Sequence, residues 1–121
     1  MDDEKEVKEK SGKREFKSES DLDREIAAGE WTRLSRFKIY RQRSRQGRIL
    51  AVYQALSNRL DQLVKAFYEL AKENRSLGTA EKLMKEINYL RRVRDSLLVC
   101  LTWNESDVLP ELPAEVEAVI G

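Results

Sequence analysis

Apolar residues recur with a seven-residue period through the middle of the chain, in alternating steps of four and three. No proline interrupts the series. A stripe with this period lies along one side of an α-helix and is typical of helices packed as coiled coils. It predicts a helix over about 48–73, with a length of about 37 Å at 1.5 Å per residue. The stripe consists of Ile49, Tyr53, Leu56, Leu60, Leu63, Phe67 and Leu70.

A second stripe predicts a second long helix over about 80–103. It consists of Leu83, Ile87, Leu90, Leu97 and Leu101, and Arg94 occupies the step where an apolar residue is missing. Between the stripes, Asn74–Thr79 reads as a turn in which Gly78 ends the first helix and Thr79 caps the second. Because this connection is short, the two helices are expected to pack as an antiparallel hairpin.

Shorter helices are expected on both sides of this hairpin. Ser20 is a candidate N-cap for a short helix that Gly29 would end. Gly47, just before the first long helix, marks either a joint or a point through which that helix continues. Four apolar residues spaced three apart fit one side of about three further helical turns. They are Trp31, Leu34, Phe37 and Tyr40.

The C-terminal residues change in character, because Pro110 and Pro113 prevent any continuation of the second long helix. Pro113 suits the first turn of a final short helix over Ala114–Ile120. This helix would have an apolar side, and the segment 104–121 that contains it carries five carboxylates. This segment is either a strap that packs back on the hairpin or a docking peptide for a partner's groove.

The predicted fold is therefore all-α and bundle-like, with a long hairpin and shorter flanking helices. Residues 1–19 are almost entirely charged or small, and we expect a disordered tail there. A frayed, solvated helix is the alternative for this tail. The predicted organisation is a helical domain over 20–104, followed by an acidic, proline-containing tail or strap over 105–121.

Charge is unevenly distributed, although the net charge is only +1. Residues 31–50 contain seven basic and no acidic side chains, whereas both ends of the chain are acidic. Such a basic segment, interleaved with aromatic residues, is a candidate nucleic-acid site, with arginines on phosphates and an aromatic stacked on a base. The alternative is that the aromatics are core and the basic side chains face solvent or pair with the acidic ends. The basic residues are Arg33, Arg36, Lys38, Arg41, Arg43, Arg45 and Arg48.

Catalytic and metal-binding patterns are missing from the sequence. The chain has no histidine and one cysteine, Cys100, which lies in an apolar helix face. A lone thiol cannot hold a zinc ion, and no phosphate-binding loop or nucleophile motif is present. We therefore expect no enzyme activity, no small-molecule substrate, no cofactor and no metal.

The apolar runs are also too short for a membrane helix, since the longest spans five residues, 97–101. The charged N-terminus does not resemble a secretory signal. We therefore expect an intracellular protein, cytoplasmic or nuclear, without a membrane partner.

The hairpin stripes are themselves candidate interfaces, because two helices cannot hide so wide an apolar surface by packing on each other. The cover is a flanking segment of this chain, a second copy of it, or another protein. Two copies would form an antiparallel four-helix bundle. The candidate interface residues are Ile49, Tyr53, Leu56, Leu60, Leu63, Phe67, Leu70, Leu83, Ile87, Leu90 and Leu97.

The order of elements over about 31–103 resembles the helical domain of GINS replication-complex subunits. The shared features are a basic, aromatic-containing segment, a long helix over Ile49–Leu70, a short turn and a second helix over Leu83–Leu101. The chain has no segment that predicts the small β-domain of that family. The resemblance implies a scaffold that assembles with sister subunits and a replicative helicase, and it transfers no individual functional residue.

The function that the sequence favours is thus a non-enzymatic helical module for protein–protein assembly in a larger intracellular complex, associated with DNA replication or nucleic acid. Its partner is another protein or a second copy. The alternative is a protein that binds nucleic acid directly through residues 33–48.

Overall fold

The computed structural model of the protein describes residues 18–73, 77–102 and 108–121, and every regular element within them is a helix. The predicted all-α fold and its long hairpin are confirmed. Of the predicted disordered tail, residues 1–19, the first 17 lie outside the described residues. The elements are α1 (Glu19–Ala28), a 3₁₀ segment (Trp31–Arg36), α2 (Lys38–Arg41), α3 (Arg45–Lys72), α4 (Leu77–Leu101) and α5 (Ala114–Ile120).

Helix α3 starts three residues earlier than predicted and runs through Gly47, so this glycine is not a joint. The reason is an N-cap that the sequence reasoning missed. The Ser44 hydroxyl accepts a hydrogen bond from the Gly47 N–H at 3.1 Å, which satisfies one of the free donors at the helix start.

Helix α4 also begins earlier than predicted, at Leu77, so neither the Gly78 turn nor the Thr79 cap is correct. Gly78 is not among the glycines with positive φ. Glycine permits a left-handed turn but does not require one, and helical backbone at Leu77, Gly78 and Thr79 starts the helix three residues earlier. Trp103 and Asn104, predicted to close α4, lie outside the described residues.

The two long helices are antiparallel neighbours, as predicted, and two side-chain contacts fix their register. The Gln46 amide donates to the Cys100 carbonyl at 3.4 Å, and Arg59 pairs with Glu86 at 3.6 Å. Continuing this register toward the turn places Leu63 about level with Leu83.

Helix α1 lies against α3, with Leu22 and Ile26 buried. Its N-cap is Ser18 rather than the predicted Ser20, because the Ser18 hydroxyl accepts from the Asp21 N–H. Glu19, assigned to the disordered tail from sequence, is therefore the first helical residue. Gly29 ends the helix with φ +80°, as predicted.

The Trp31–Tyr40 segment is not one α-helix but a 3₁₀ segment, a break at Phe37 and the single turn α2. A 3₁₀ helix has three residues per turn, so apolar residues spaced exactly by threes stay on one side of it. In an α-helix the same spacing would drift around the axis. All four residues, Trp31, Leu34, Phe37 and Tyr40, are buried.

The C-terminal segment 108–121 is a strap, as one of the two predicted alternatives stated. Helix α5 packs against the 3₁₀ segment and α3, and the Tyr40 hydroxyl donates to the Val119 carbonyl at 3.1 Å. Tyr89 of α4 is hydrogen-bonded to Glu115. The buried apolar residues of the strap are Leu112, Val116, Val119 and Ile120.

The core lies at one end of the hairpin. Buried residues run from Ile49 to Leu63 in α3 and from Ile87 to Leu97 in α4. Among the described residues between Leu63 and Ile87, no side chain is buried. We call this outer part of the hairpin, residues 64–72 and 77–84, the distal arm, and the rest of the described chain the body.

Candidate interaction surfaces

Most of the candidate interface residues belong to the chain's own core. Seven of the eleven are no more than 4% exposed, so they are not available to a partner in this conformation. The prediction is corrected for them because the stripe of α4 packs against α3, and α1, the 3₁₀ segment and the strap add further cover on α3 over the inner half of the hairpin. The seven are Ile49, Leu56, Leu60, Leu63, Ile87, Leu90 and Leu97.

The other four candidates remain partly exposed. Tyr53 lies in the body, whereas Phe67, Leu70 and Leu83 lie in the distal arm. The stripe is thus continuous along the hairpin, but only its inner part is covered.

Three further apolar side chains of the arm are exposed. Tyr68 is 63% exposed and Leu77 is 74% exposed. Met84, which follows Leu83 in the sequence, is exposed as well. The Tyr68 ring meets Phe67 edge to face, with 6.2 Å between ring centroids. Sequence reasoning missed Tyr68 because it lies off the seven-residue stripe, and Leu77 because it was assigned to the turn.

The arm is exposed because the covering elements end before it. Helix α1 is attached to α3 by Asn58 and Gln62, whose amides donate to the carbonyls of Ile26 and Ala28. Residue 62 is the outermost of these attachment points. The arm consists of α3 and α4 packed on each other, and none of its described side chains is buried.

The basic segment is partly neutralised by the acidic ends of the chain, as the alternative interpretation anticipated. Arg43 pairs with Glu19 at 2.5 Å, and Arg45 pairs with Glu117 at 3.1 Å. Arg33 lies 3.5 Å from Glu25. Three of the seven basic side chains therefore face a carboxylate of this same chain.

Two more basic side chains hold the backbone. Arg48 is partly buried and donates to the carbonyls of Arg43 and Ile120, which fastens the strap to the start of α3. Arg41 donates to the Ser35 carbonyl at 2.7 Å. Arg48 is thus a structural residue, and its assignment as an exposed phosphate contact is corrected.

The aromatic side chains of the basic segment are unavailable for stacking. Trp31, Phe37 and Tyr40 are all buried in the core. The expectation that one of them stacks on a base is therefore wrong for this conformation. Arg36 and Lys38 remain exposed on this surface and make no ion pair with any described residue.

Burial changes the acidity of Tyr40, Tyr89 and Cys100. Burial raises the pKa of Tyr40 to about 12. Desolvation first, and the hydrogen bond to Glu115 second, raise the pKa of Tyr89 to about 12. Burial also raises the pKa of the Cys100 thiol, which disfavours the reactive thiolate. Within the described ranges, no three histidine, cysteine, aspartate or glutamate side chains cluster as a metal site would require.

No protein-family model, curated protein or solved structure matches the chain. Among the described helices, none is both long and apolar enough to span a membrane.

Proposed function

We propose that this protein is a non-enzymatic assembly module that binds a protein partner through its distal arm. The observation that carries the proposal is the unequal cover of one continuous apolar stripe. Its inner part is enclosed by the chain itself, whereas Phe67, Leu70 and Leu83 remain partly exposed beside Tyr68 and Leu77.

The composition of the arm suits a contact surface. Full burial of a large apolar side chain contributes roughly 1.5–3 kcal/mol relative to its exposed state. Tyrosine is enriched among the residues that dominate binding energy, because it combines a large apolar ring with a polar group. A partner that covers Tyr68 and Leu77 would thus gain several kcal/mol from two residues alone.

The wider setting of this assembly is part of the same proposal. The pattern shared with the GINS helical domain supports a role as a scaffold in a replication complex inside the cell. Direct nucleic-acid binding is a second candidate, favoured by Arg36 and Lys38, which are exposed and make no ion pair with a described residue.

Site-specific photocrosslinking tests the proposed surface. A benzophenone amino acid placed at Tyr68 in the native cell should give a defined higher-mass adduct, because that side chain lies within the proposed contact. The same probe at Leu50, an exposed apolar position of α3 in the body, is the matched control and should give little adduct. An adduct at Leu50 with none at Tyr68 would refute the role of the arm.

A further inference from the structure

We infer that the partner covering the distal arm is a second copy of this chain, joined arm to arm about a two-fold axis. The inference rests on the proposed role of the arm and adds the identity of the partner. It is argued from the charges of the arm and from the position of the arm relative to the basic segment.

The charges of the arm are mixed and nearly balanced. Residues 64–72 and 77–84 contain three basic and two acidic side chains, whereas residues 31–50 contain seven basic and none acidic. In a two-fold contact the same surface meets itself, so a surface of one sign would repel its copy. Both helices of the arm carry both signs, with Lys65 and Glu69 on α3 and Glu81 and Lys82 on α4. A copy turned around the axis can therefore place acidic side chains near basic ones.

The basic segment lies at the opposite end of the hairpin. Helix α3 has 28 residues between Arg45 and Lys72, which separates its ends by about 42 Å. When the arms are in contact, the distance between the basic surfaces of the two copies is far greater than the screening length of about 8 Å at physiological salt. A contact through the body near Arg36 and Lys38 would instead bring two surfaces of the same sign together.

The two-fold contact also completes the packing that each hairpin lacks. Two arms supply four helical segments, which can enclose the apolar side chains that two segments leave exposed. The segments are short, so we expect a reversible dimer whose population rises with protein concentration.

Sedimentation velocity of the purified full chain tests this inference. The monomer has a mass of 14.1 kDa, and we expect a species of twice that mass to grow as concentration rises. The double variant Tyr68→Glu/Leu77→Glu should remain monomeric, with the circular dichroism of the parent protein. The matched control is Leu50→Glu/Leu98→Glu, which changes two exposed leucines of the body, each 44% exposed, and should still dimerise.

Spin-label distances provide a second measurement that does not depend on disruptive variants. In a Cys100→Ser background, a label at Tyr68→Cys should give a short distance between copies, and a label at Gln42→Cys a long one. Persistence of the monomer at all concentrations would overturn the inference, as would a short distance at position 42 only.

The two proposals fail separately. If the purified chain is monomeric while the Tyr68 probe still crosslinks to a different protein in cells, the arm is a docking surface but its partner is not a second copy. If the probe gives no adduct at all, the proposed function itself fails.

Discussion

Single residues of this protein join segments that are far apart in sequence. Tyr40 is fully buried, and its hydroxyl donates to the carbonyl of Val119, 79 positions later. The hydroxyl thereby ties α2 to the strap. Because burial raises the pKa of Tyr40 to about 12, the residue stays neutral well into the alkaline range.

We predict that this burial makes stability decline at high pH. An unfolded tyrosine ionises near pH 10 and folded Tyr40 near 12, so the unfolded state releases its proton first. The stability contribution is complete below pH 10 and is lost between about 10 and 12, at roughly 1.4 kcal/mol per pH unit.

Urea unfolding at pH 8 and pH 11 measures this effect. Tyr40→Phe removes the hydrogen bond and should lower the free energy of unfolding by about 0.5–1.5 kcal/mol at pH 8. On going to pH 11, the free energy of unfolding should fall less in this variant than in the parent protein. Tyr89 is present in both proteins, so the difference reports on Tyr40. Equal declines in both proteins would show that Tyr40 ionises normally.

Gly29 is a second position where one residue is decisive. Its φ is +80°, and an added Cβ would lie 3.0 Å from the backbone nitrogen of Arg59. We predict that Gly29→Ala destabilises the protein by about 1–2 kcal/mol or more, from left-handed strain together with the clash. Denaturant unfolding measures this loss, with Ala27→Ser, a change at an exposed position of α1, as the control. Equal stability of the two variants would contradict the close approach of α1 to α3.

At the scale of elements, the strap is a structural part of the fold. Val116 is fully buried, whereas Val108, in the same segment, is 91% exposed. We predict that Val116→Asp lowers the free energy of unfolding by roughly 3 kcal/mol or more, since it buries a carboxyl in an apolar site. Val108→Asp should change it by about 0.5 kcal/mol or less. Similar thermal shifts for both variants would show that the strap is not docked.

The long helices were predictable because a seven-residue apolar repeat fits one face of a long α-helix and few other structures. The 3₁₀ segment was not, because a period of three over four residues fits a drifting α-helical face as well as a 3₁₀ turn. Helix starts were missed by up to three residues because serine is common outside caps, so that Ser18 and Ser44 were recognisable only from their hydrogen bonds.

The candidate surfaces were predictable only in part, for a similar reason. The stripe identified Phe67, Leu70 and Leu83, but the sequence did not show where the covering helices end. That boundary depends on how far α1 reaches along α3, which is set by tertiary contacts of Asn58 and Gln62.

At the scale of the whole molecule, the acidic ends fold onto part of the basic segment. Because Arg43 and Arg45 are paired with Glu19 and Glu117, we predict that nucleic-acid binding is weak. Arg36→Ala/Lys38→Ala should reduce it several-fold and flatten its salt dependence, since each lost phosphate contact lowers the salt slope by about one. Fluorescence anisotropy at several salt concentrations measures both. Arg43→Ala/Arg45→Ala is the control, and a larger loss in that variant would contradict the pairing.

The asymmetry between the covered body and the uncovered distal arm is the basis of the proposed function. Radical footprinting compares the two regions directly in one chain. Tyr68 and Met84 should be modified quickly in dilute purified protein and several-fold more slowly in concentrated native extract, where the partner covers the arm. Leu98 and Val99, exposed on α4 in the body, should react at similar rates in both samples. Equal rates for Tyr68 and Met84 in the two samples would mean that nothing covers the arm, and would contradict its proposed role as a binding surface.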